Sequence, residues 1–352
     1  MLMLVWHKYY KDIKGGLGLK VISGIIEQHG IGANCGTNAT RVALRYMGYD
    51  FTEEMVFGLG SGLGFIYQYF TEEDSYFVSG KNESLENNVC SLLGGQCISG
   101  FWDDNNVAWD NLKKFIDNDI PVIVDTSIKE LPYFKEYMES LFNIGFGLHN
   151  VLVAGYDEKE KTVLLLDHRW TKPQVVSMKD FEKARSTKNT TIEPRNGYKV
   201  LLPAQPGWSR LDKDIETAIQ LNINRIRYPY AFKMGLKGMK MFQKDVIRFY
   251  SNIEENRKHI VVFGSLLEKL GTGGGNYRRM YGNFLKEAGK ETRNEKLIKI
   301  GTEYMRVANV WKKLSNMFLS AKESDLIEIE SMLDELVIKE NVLIEQLEES
   351  IK

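Results

Sequence analysis

The sequence changes character near residue 205, and this change constrains the fold more than any single motif. Before it, short strand-like apolar runs alternate with helical stretches, as in "VAWDNLKKFIDNDI" followed by "PVIVDTS". After it, nearly every stretch has helical periodicity, and "PAQPGWS" at residues 203–209 has the proline and glycine content of a linker. We therefore predict an α+β domain at residues 1–207 and a helical domain at residues 208–352.

The composition is that of a globular protein. Hydrophobic residues make up 43% and charged residues 26% of the 352 residues, close to the average for folded domains. No apolar run has the length of a membrane span, and the first residues lack a hydrophobic region followed by a cleavage site, so we expect a cytoplasmic protein. Cys35, Cys90 and Cys97 form no C-x-x-C pair, which favours reduced thiols and argues against a metal site.

Cys35 lies at the start of a predicted helix in "IGANCGTNATRVALRYMGYD", residues 31–50. Apolar residues follow at helical spacing, and Gly48 is well placed to end the helix. At a helix N-terminus the backbone N–H groups and the helix dipole favour a thiolate, which makes the sulfur a nucleophile near neutral pH. The alternative is a small packing residue, since cysteine is among the most buried residue types.

A predicted hairpin supplies a base for this cysteine. The strand-like runs "HNVLVAGYD" and "TVLLLDH" flank the charged turn "DEKEK". A hairpin centred near Glu158 places His149 directly opposite Asp167, close enough for the carboxylate to orient the imidazole. The inference depends on register, because a shift by one residue turns the two side chains to different faces. A structural hydrogen bond without a catalytic role is the alternative.

His29 and His168 are weaker candidates for the base. His29 lies near Cys35 in the sequence, but no carboxylate accompanies it at a suitable spacing. His168 directly follows Asp167 and should point the opposite way if the strand continues through both residues. Cys90 and Cys97 have no histidine nearby, and we interpret both as packing residues.

Longer motifs carry a family resemblance. "NCGTNATRVALRYMG" followed by "GLHNVLVAGYDEKEKTVLLLDH" resembles the papain-like cysteine fold of bacteriocin-processing peptidases, with the nucleophile on the first helix and the histidine opening a strand. "TEEMVFGLGSGLGFIY" and "GTGGGNYRRMYGNFLKEA" are similar to motifs of the BtrH-like acyltransferases, the family of the butirosin acyltransferase. The resemblance extends from about residue 25 to residue 315.

This resemblance implies a cysteine-dependent acyltransferase or amide synthase of antibiotic or thiotemplated peptide biosynthesis, the closthioamide pathway being one example. Such an enzyme takes an acyl group from the phosphopantetheine thioester of an acyl or peptidyl carrier protein. It passes this group through acyl-Cys35 to an amine or diamine, with His149 as general acid and base, Asp167 as its orienting partner, and no bound cofactor or metal. A peptidase or thioesterase with the same three residues is one alternative, and a non-catalytic carrier-binding protein is another.

Two side chains are candidates for the oxyanion donor. Papain-like folds commonly use a glutamine a few residues before the cysteine, and Gln28 stands seven residues before Cys35. Asn34 directly precedes the cysteine, where relatives often have histidine, and offers a second carboxamide. A polar residue at a helix end is the alternative interpretation of Gln28.

The glycine run "FGLGSGLGF" at residues 57–65 fits neither common nucleotide-binding spacing. Its alternating glycines suit backbone that packs closely beside a site. Gly60 and Gly62 are therefore candidates for lining a channel that admits the pantetheine arm. A tight structural loop is the alternative.

The helical domain carries excess positive charge. Residues 209–322 contain 23 basic and 11 acidic side chains, whereas residues 323–352 contain 2 basic and 10 acidic ones. One predicted helix face collects basic residues at spacings of three or four: Lys233, Lys237, Lys240, Lys244 and Arg248. We expect an acidic carrier protein to dock there; a solvated face is the default alternative, and the absence of a recognised reader motif argues against nucleic acid.

Two further features of the helical domain are candidates for binding or assembly. Arg278 and Arg279, in "GTGGGNYRRMY", are potential contacts for an anionic group, although the segment could simply join two helices. The C-terminal segment repeats apolar residues in a heptad pattern that Glu340 interrupts: Leu326, Ile329, Leu333, Leu336, Leu343 and Leu347. This pattern predicts a helix that packs on its neighbours, and a homodimer is the alternative use of the apolar stripe.

Overall fold

The structure is a computed structural model that describes residues 18–72, 74–135, 147–207 and 210–352. The described residues form two compact units. The first unit joins the segment ending at Asp50 to Cys97–Leu202, and the second joins Phe51–Gln96 to Pro203–Lys352. The boundary predicted after residue 207 lies near the last of these junctions, but no pattern in the sequence indicated that residues 51–96 group with the helices. Residues 208 and 209 of the predicted linker lie outside the described residues, as do residues 1–17, which the expectation about a signal sequence concerns.

The secondary structure follows the predicted change of character. In chain order the described strands are β1 (Leu19–Val21), β2 (Leu63–Phe70), β3 (Ser75–Lys81), β4 (Gln96–Gly100), β5 (Val122–Thr126), β6 (His149–Asp157), β7 (Thr162–Leu166), β8 (Gln174–Ser177) and β9 (Tyr198–Leu202). The described α-helices are α1 (Cys35–Tyr46), α2 (Glu53–Leu59), α3 (Leu85–Leu92), α4 (Asn105–Asp117), α5 (Met178–Ser186), α6 (Leu211–Arg227), α7 (Gly235–Tyr250), α8 (Ile253–Gly264), α9 (Arg278–Glu291), α10 (Glu295–Ser320) and α11 (Leu326–Ser350).

The first unit is built on a seven-stranded sheet. Its strands follow the order β4, β9, β5, β6, β7 and β8, with β1 paired to β6. The pairs that β6 makes with β1, β5 and β7 are antiparallel. Every residue of β6 except the last is buried, which explains why this strand is an almost continuous apolar run. The predicted α+β class is confirmed for this part of the chain.

Helix α1 packs on β6 and begins at Cys35. The side-chain oxygen of Asn34 accepts the N–H of Thr37 at 3.1 Å, which caps one of the backbone donors left open at the helix start. The chain leaves the helix through Gly48, whose φ of +93° lies in the left-handed region that glycine adopts without steric cost. The prediction of Gly48 as the helix stop is confirmed.

The second unit is mostly helical over residues 210–352, as predicted for residues 208–352, and has an aromatic core. The β2–β3 hairpin packs on α7, where the ring of Tyr67 meets that of Phe242 edge to face at 5.4 Å. Phe242 also contacts Phe263 of α8 at 5.0 Å, and its ring centroid lies 6.5 Å from that of Trp311 in α10. Such interlocking aromatic contacts stabilise the unit beyond the burial of area alone. Among the described residues, no helix combines the length and apolar composition needed to cross a bilayer.

The heptad pattern of the C-terminal segment is used inside the second unit. Helix α11 packs on α7 and α10, and its stripe residues Ile329, Leu333, Leu336, Leu343 and Leu347 are buried. Glu340 does not interrupt this packing, because it is itself buried and pairs with Arg278. The stripe is therefore covered by the unit's own helices, and a homodimer stays a prediction that this stripe does not support.

Candidate active site

Cys35 occupies the first position of α1 and is half-buried. The first N–H groups of a helix have no acceptor within the helix, so the sulfur lies at the positive end of the helix dipole. None of the three cysteines forms a disulfide, and Cys90 is buried whereas Cys97 is half-buried. Cys35 is thus a partly exposed residue at a position where a thiolate is stabilised.

The hairpin that carries His149 and Asp167 has a different register from the predicted one. Leu152 pairs with Leu166, the last residue of β7, so Asp167 lies one residue beyond the paired strand. His149 pairs across its other edge with Thr126 of β5. The prediction that His149 and Asp167 are directly opposite is therefore wrong by two residues. Because the shift is even, both side chains stay on the same face and meet diagonally.

A β-bulge produces this even shift. Near the turn, Tyr156 pairs with Val163. If this register continued to the open end of the hairpin, the side chains of His149 and Asp167 would lie on opposite faces of the sheet. The register changes beside Gly155, where β6 contains one extra residue. The bulge thus brings the imidazole and the carboxylate together.

His149 and Asp167 form a buried pair. The Nε2–H of His149 donates to Oδ2 of Asp167 at 2.6 Å, and the two side chains are 2% and 0% exposed. The side chain of Cys35 is hydrogen-bonded to the same imidazole. Because Nε2 faces the carboxylate, Nδ1 is the nitrogen left for the sulfur. The structure therefore brings Cys35, His149 and Asp167 into one hydrogen-bonded chain.

The electrostatics of this chain favour an imidazolium. Burial alone would lower the pKa of His149, but the charge and hydrogen bond of Asp167, together with Cys35, outweigh it and raise the pKa to about 10. Burial likewise opposes ionisation of Asp167, and the facing imidazolium reverses this and holds the pKa of the carboxyl well below its usual value. The raised pKa of His149 stabilises the folded state fully below the ordinary histidine pKa of 6.5, and this stabilisation is lost as the pH rises towards 10. The lowered pKa of Asp167 stabilises the folded state above the ordinary carboxyl pKa of 3.8, and this stabilisation is lost as the pH falls below it.

Sequence reasoning missed three further contacts of Asp167. The hydroxyl of Tyr133 donates to Oδ2 at 3.1 Å. Nδ1 of His168 lies 3.0 Å from Oδ1, and the Arg169 N–H donates to the same oxygen at 3.4 Å. The prediction that His168 points away from Asp167 is wrong because β7 ends at Leu166, so strand alternation no longer governs residues 167 and 168. No local pattern in the sequence pointed to Tyr133.

His29 does not compete for the sulfur. Its Nε2–H donates to the carbonyl of Trp170 at 2.8 Å, which anchors the loop before α1 to the residues after β7. Burial lowers the pKa of His29, and the nearby charges of Asp167, Arg41 and His168 modify the effect. His29 is therefore a neutral residue that holds the loop.

Three side chains of this site, those of His149, Asp167 and His168, carry atoms that can bind metal ions. Ligand atoms of His149, Asp167 and His168 lie within 4.8 Å of one another. Nε2 of His149 and Oδ2 of Asp167 are only 2.6 Å apart, however, whereas two atoms bound to one zinc ion at about 2.0–2.1 Å each are separated by more than 3 Å. The short contact fits a shared proton and not an intervening ion.

The two oxyanion candidates lie in different settings. Oδ1 of Asn34 is occupied as the cap of α1, accepting from the backbone N–H and hydroxyl of Thr37. The amide of Gln28 donates to the carbonyl of Gly24 over 3.5 Å, a long contact. Both residues belong to the first unit, and their oxyanion role stays a prediction.

Gly60 and Gly62 lie in the packed interior of the second unit. A Cβ at Gly60 would lie 2.4 Å from Cγ of Leu85, and one at Gly62 would lie 2.5 Å from the ring of Phe57. The space left by the missing side chains is thus filled by neighbouring residues. These contacts favour the alternative of a tight structural loop over a channel for a pantetheine arm.

Substituting Gly62 by alanine is expected to destabilise the second unit by about 1–3 kcal/mol, because the new methyl group overlaps Phe57. Gly30→Ala is the control, since its Cβ would meet nothing nearer than 3.5 Å. Chemical denaturation of both variants measures the difference. Unchanged stability of Gly62→Ala combined with weaker carrier-protein binding would instead restore the binding role.

Arg278 is not available to an anionic substrate. It is 1% exposed, and its Nε–H donates to Oε1 of the equally buried Glu340 at 2.5 Å. Trp311 donates its indole N–H to the same oxygen at 3.1 Å. The prediction of a substrate contact is wrong for Arg278, whose charge is neutralised internally. Arg279 is half-buried and donates to Asn309 at 2.9 Å.

The predicted basic face exists on the second unit. Lys237, Lys240 and Lys244 project from α7, and Lys233 precedes it; all four are exposed. Within the described part of the chain none of these lysines takes part in an ion pair, whereas Arg248 pairs with Asp245 at 2.9 Å. Docking at this face stays a prediction.

Comparison with known protein families gives two matches that together cover most of the chain. The family model described as butirosin biosynthesis protein H, N-terminal, matches residues 34–168. A domain of unknown function, DUF4872, matches residues 179–347. The first match spans Cys35, His149 and Asp167, the residues that meet in the first unit. No curated protein matches the chain significantly.

Proposed function

Because the chain belongs to the family of proteins that carry the N-terminal domain of butirosin biosynthesis protein H, we propose that it is a biosynthetic acyltransferase with Cys35 as its nucleophile. The observation that carries this proposal is the hydrogen-bonded chain from the Cys35 thiol through His149 to Asp167. A nucleophile, a base and a group that orients the base are the parts that nucleophilic catalysis requires. Cys35 is partly exposed, which is compatible with access of a substrate.

The proposed reaction has two half-reactions. The Cys35 thiolate attacks the carbonyl carbon of a carrier-protein thioester, and the phosphopantetheine sulfur leaves with a proton from His149. An amine then attacks the acyl-Cys35 thioester, His149 accepts a proton from the amine, and the amide leaves as Cys35 returns to the thiolate. Asp167 holds the imidazole in one tautomer in both steps.

The arrangement of the first unit supports a papain-like assignment. The nucleophile opens helix α1, the base opens strand β6, and the carboxylate follows strand β7. The first N–H groups of α1, with the carboxamides of Gln28 or Asn34, are the proposed donors to the tetrahedral oxyanion. One well-placed donor contributes about 2.7–4 kcal/mol to stabilising such a transition state.

Intact mass measurement after mixing with an acyl-loaded carrier protein tests the nucleophile. We expect the chain to gain one acyl group, and we expect the gain to disappear in Cys35→Ala. Cys97→Ala is the control, because Cys97 is also half-buried and takes no part in the proposed chemistry. An adduct that persists in Cys35→Ala, or that is never seen in the wild type, would refute the assignment.

A panel of amines and diamines tests the acceptor. Release of amide from the acyl-enzyme, at a rate that rises with amine concentration, is the expected result. Release of free acid at the same rate with and without amine would show that water is the acceptor, and the enzyme would be a thioesterase or peptidase. Carrier binding without any acyl transfer would favour a non-catalytic binding protein.

We further propose that the carrier protein docks on the basic face formed by Lys233, Lys237, Lys240 and Lys244. These side chains are exposed, and carrier proteins are typically acidic, so the attraction steers encounter and weakens with salt. Docking of the carrier protein at this face would give a function to the excess positive charge of the helical domain.

Charge reversal tests the docking face. We expect Lys237→Glu/Lys240→Glu to weaken carrier binding about tenfold at low salt, with a smaller effect at high salt as the charges are screened. Lys296→Glu/Lys299→Glu is the control, since these two exposed lysines on α10 have the same spacing and give the same change in net charge. Equal losses in the two variants would show that only overall charge matters, and the site would be elsewhere.

A further inference from the structure

The carboxylate of Asp167 is held from two sides. On Oδ2 it accepts both the His149 Nε2–H and the hydroxyl of Tyr133, at 2.6 and 3.1 Å. On Oδ1 it accepts the Arg169 N–H and lies 3.0 Å from Nδ1 of His168. The carboxylate is fully buried, so no bulk water replaces these contacts if one of them is removed.

We propose that Tyr133 and His168 are positioning residues that fix the rotation of the Asp167 carboxylate; this inference rests on the proposed acyltransferase function. The terminal torsion of aspartate is a broad rotor without a single preferred angle. Contacts on both oxygens restrict this rotation, so that Oδ2 stays aligned with the His149 N–H. Only in that alignment does the carboxylate stabilise the imidazolium that keeps Cys35 ionised.

The surroundings of Tyr133 make it suitable for this role. Tyr133 lies in a short 3₁₀ turn, Pro132–Phe134, and its ring packs edge to face on Trp170 at 4.8 Å. Phe134, in the same turn, packs on Trp170 at 4.7 Å and on the imidazole of His149 at 5.1 Å. The turn that carries the Tyr133 hydroxyl therefore packs against His149, the residue that Asp167 orients.

Several ionisable groups lie around this carboxylate. His149 and His168 flank it, Tyr133 donates to it, and the charge of Asp167 also acts on His29. Arg41 of α1 acts on His29 in turn. A pH profile of Cys35 reactivity therefore reports on this whole group, and side-chain replacements must change one contact at a time.

Tyr133→Phe removes only the hydroxyl. We expect alkylation of Cys35 by iodoacetamide to slow about fivefold below neutral pH, the effect of one net hydrogen bond, and to stay unchanged at alkaline pH where the thiolate forms without help. Tyr198→Phe, in β9 of the same unit, is the control and should keep the wild-type profile. If Cys35 of Tyr133→Phe is alkylated below neutral pH at the wild-type rate, the proposed role of Tyr133 is overturned.

His168 is tested by a pair of variants. Asn places its amide nitrogen near the position of Nδ1 and keeps a polar contact to Oδ1, so His168→Asn should keep more of the acid-side reactivity than His168→Leu, which is of similar size and removes the contact. Equal profiles for the two variants would overturn the role of His168. A wild type whose Cys35 has no enhanced reactivity at acid pH would instead defeat the proposed function, which distinguishes the two failures.

Discussion

Replacing His149 by alanine is expected to slow acylation of Cys35 by a carrier-protein thioester about 10³-fold, within the range that a positioned general acid or base contributes. In the proposed mechanism, the imidazole is the partner that would keep the sulfur ionised and the acid that would protonate the leaving thiol, and the variant lacks both. Single-turnover acylation, followed by intact mass, measures the rate. His259→Asn is the control, because His259 belongs to the second unit and its ring packs on Tyr76.

The role of Asp167 follows from a double-mutant comparison. Asp167→Asn keeps an acceptor for the Nε2–H but removes the charge that raises the pKa of His149, so we expect a substantially slower reaction. The variant with both changes should be no slower than His149→Ala alone, because residues that act as one unit are non-additive. Independent, multiplicative losses would mean that Asp167 does not act through His149.

The second large effect concerns stability. Glu340→Gln is expected to lower the free energy of unfolding by about 3–5 kcal/mol, since removing one member of a buried ion pair leaves the other charge uncompensated. Arg278 and Glu340 are each 1% exposed, so water does not screen the loss. Urea unfolding followed by a probe in the second unit, the indole of Trp311, measures the change.

Two further variants make this prediction specific. Glu335→Gln is the control on the same helix: it breaks an exposed pair with Lys339 and should cost no more than about 1 kcal/mol. Arg278→Met/Glu340→Leu replaces both charges with apolar groups and should recover most of the stability. If Glu340→Gln behaves like Glu335→Gln, the buried pair does not support the unit.

The sequence contained enough to predict the parts of the site that depend on local pattern. The start of helix α1 at Cys35 could be predicted because the apolar periodicity of the helix and its stop at Gly48 are local features. The hairpin could be predicted from two apolar runs that flank a charged turn. What was missed depends on one irregularity. The bulge beside Gly155 changes the register of the hairpin, and no residue type marks it unambiguously.

The contacts that could not be predicted join residues far apart in the chain. Tyr133 reaches Asp167 across 34 positions, and Arg278 reaches Glu340 across 62. The heptad pattern of the C-terminal segment led to the prediction that Glu340 interrupts it. Periodicity indicates which face of a helix is buried, but it does not indicate which polar residue finds a partner on that face. The grouping of residues 51–96 with the second unit could not be predicted either, because tertiary packing between distant residues determines it.

Competitive labelling of the three cysteines tests the central claim most directly. With limiting iodoacetamide at about pH 6, where an ordinary thiol of pKa about 8.5 is ionised to less than about 1%, peptide mapping reports which sulfur reacts first. Cys35 and Cys97 are both half-buried, which makes Cys97 a suitable internal reference. The Cys35–His149–Asp167 chain predicts that Cys35 is labelled at least about tenfold faster than Cys97 in the wild type and loses this advantage in His149→Ala. Equal labelling of Cys35 and Cys97 in the wild type would contradict it.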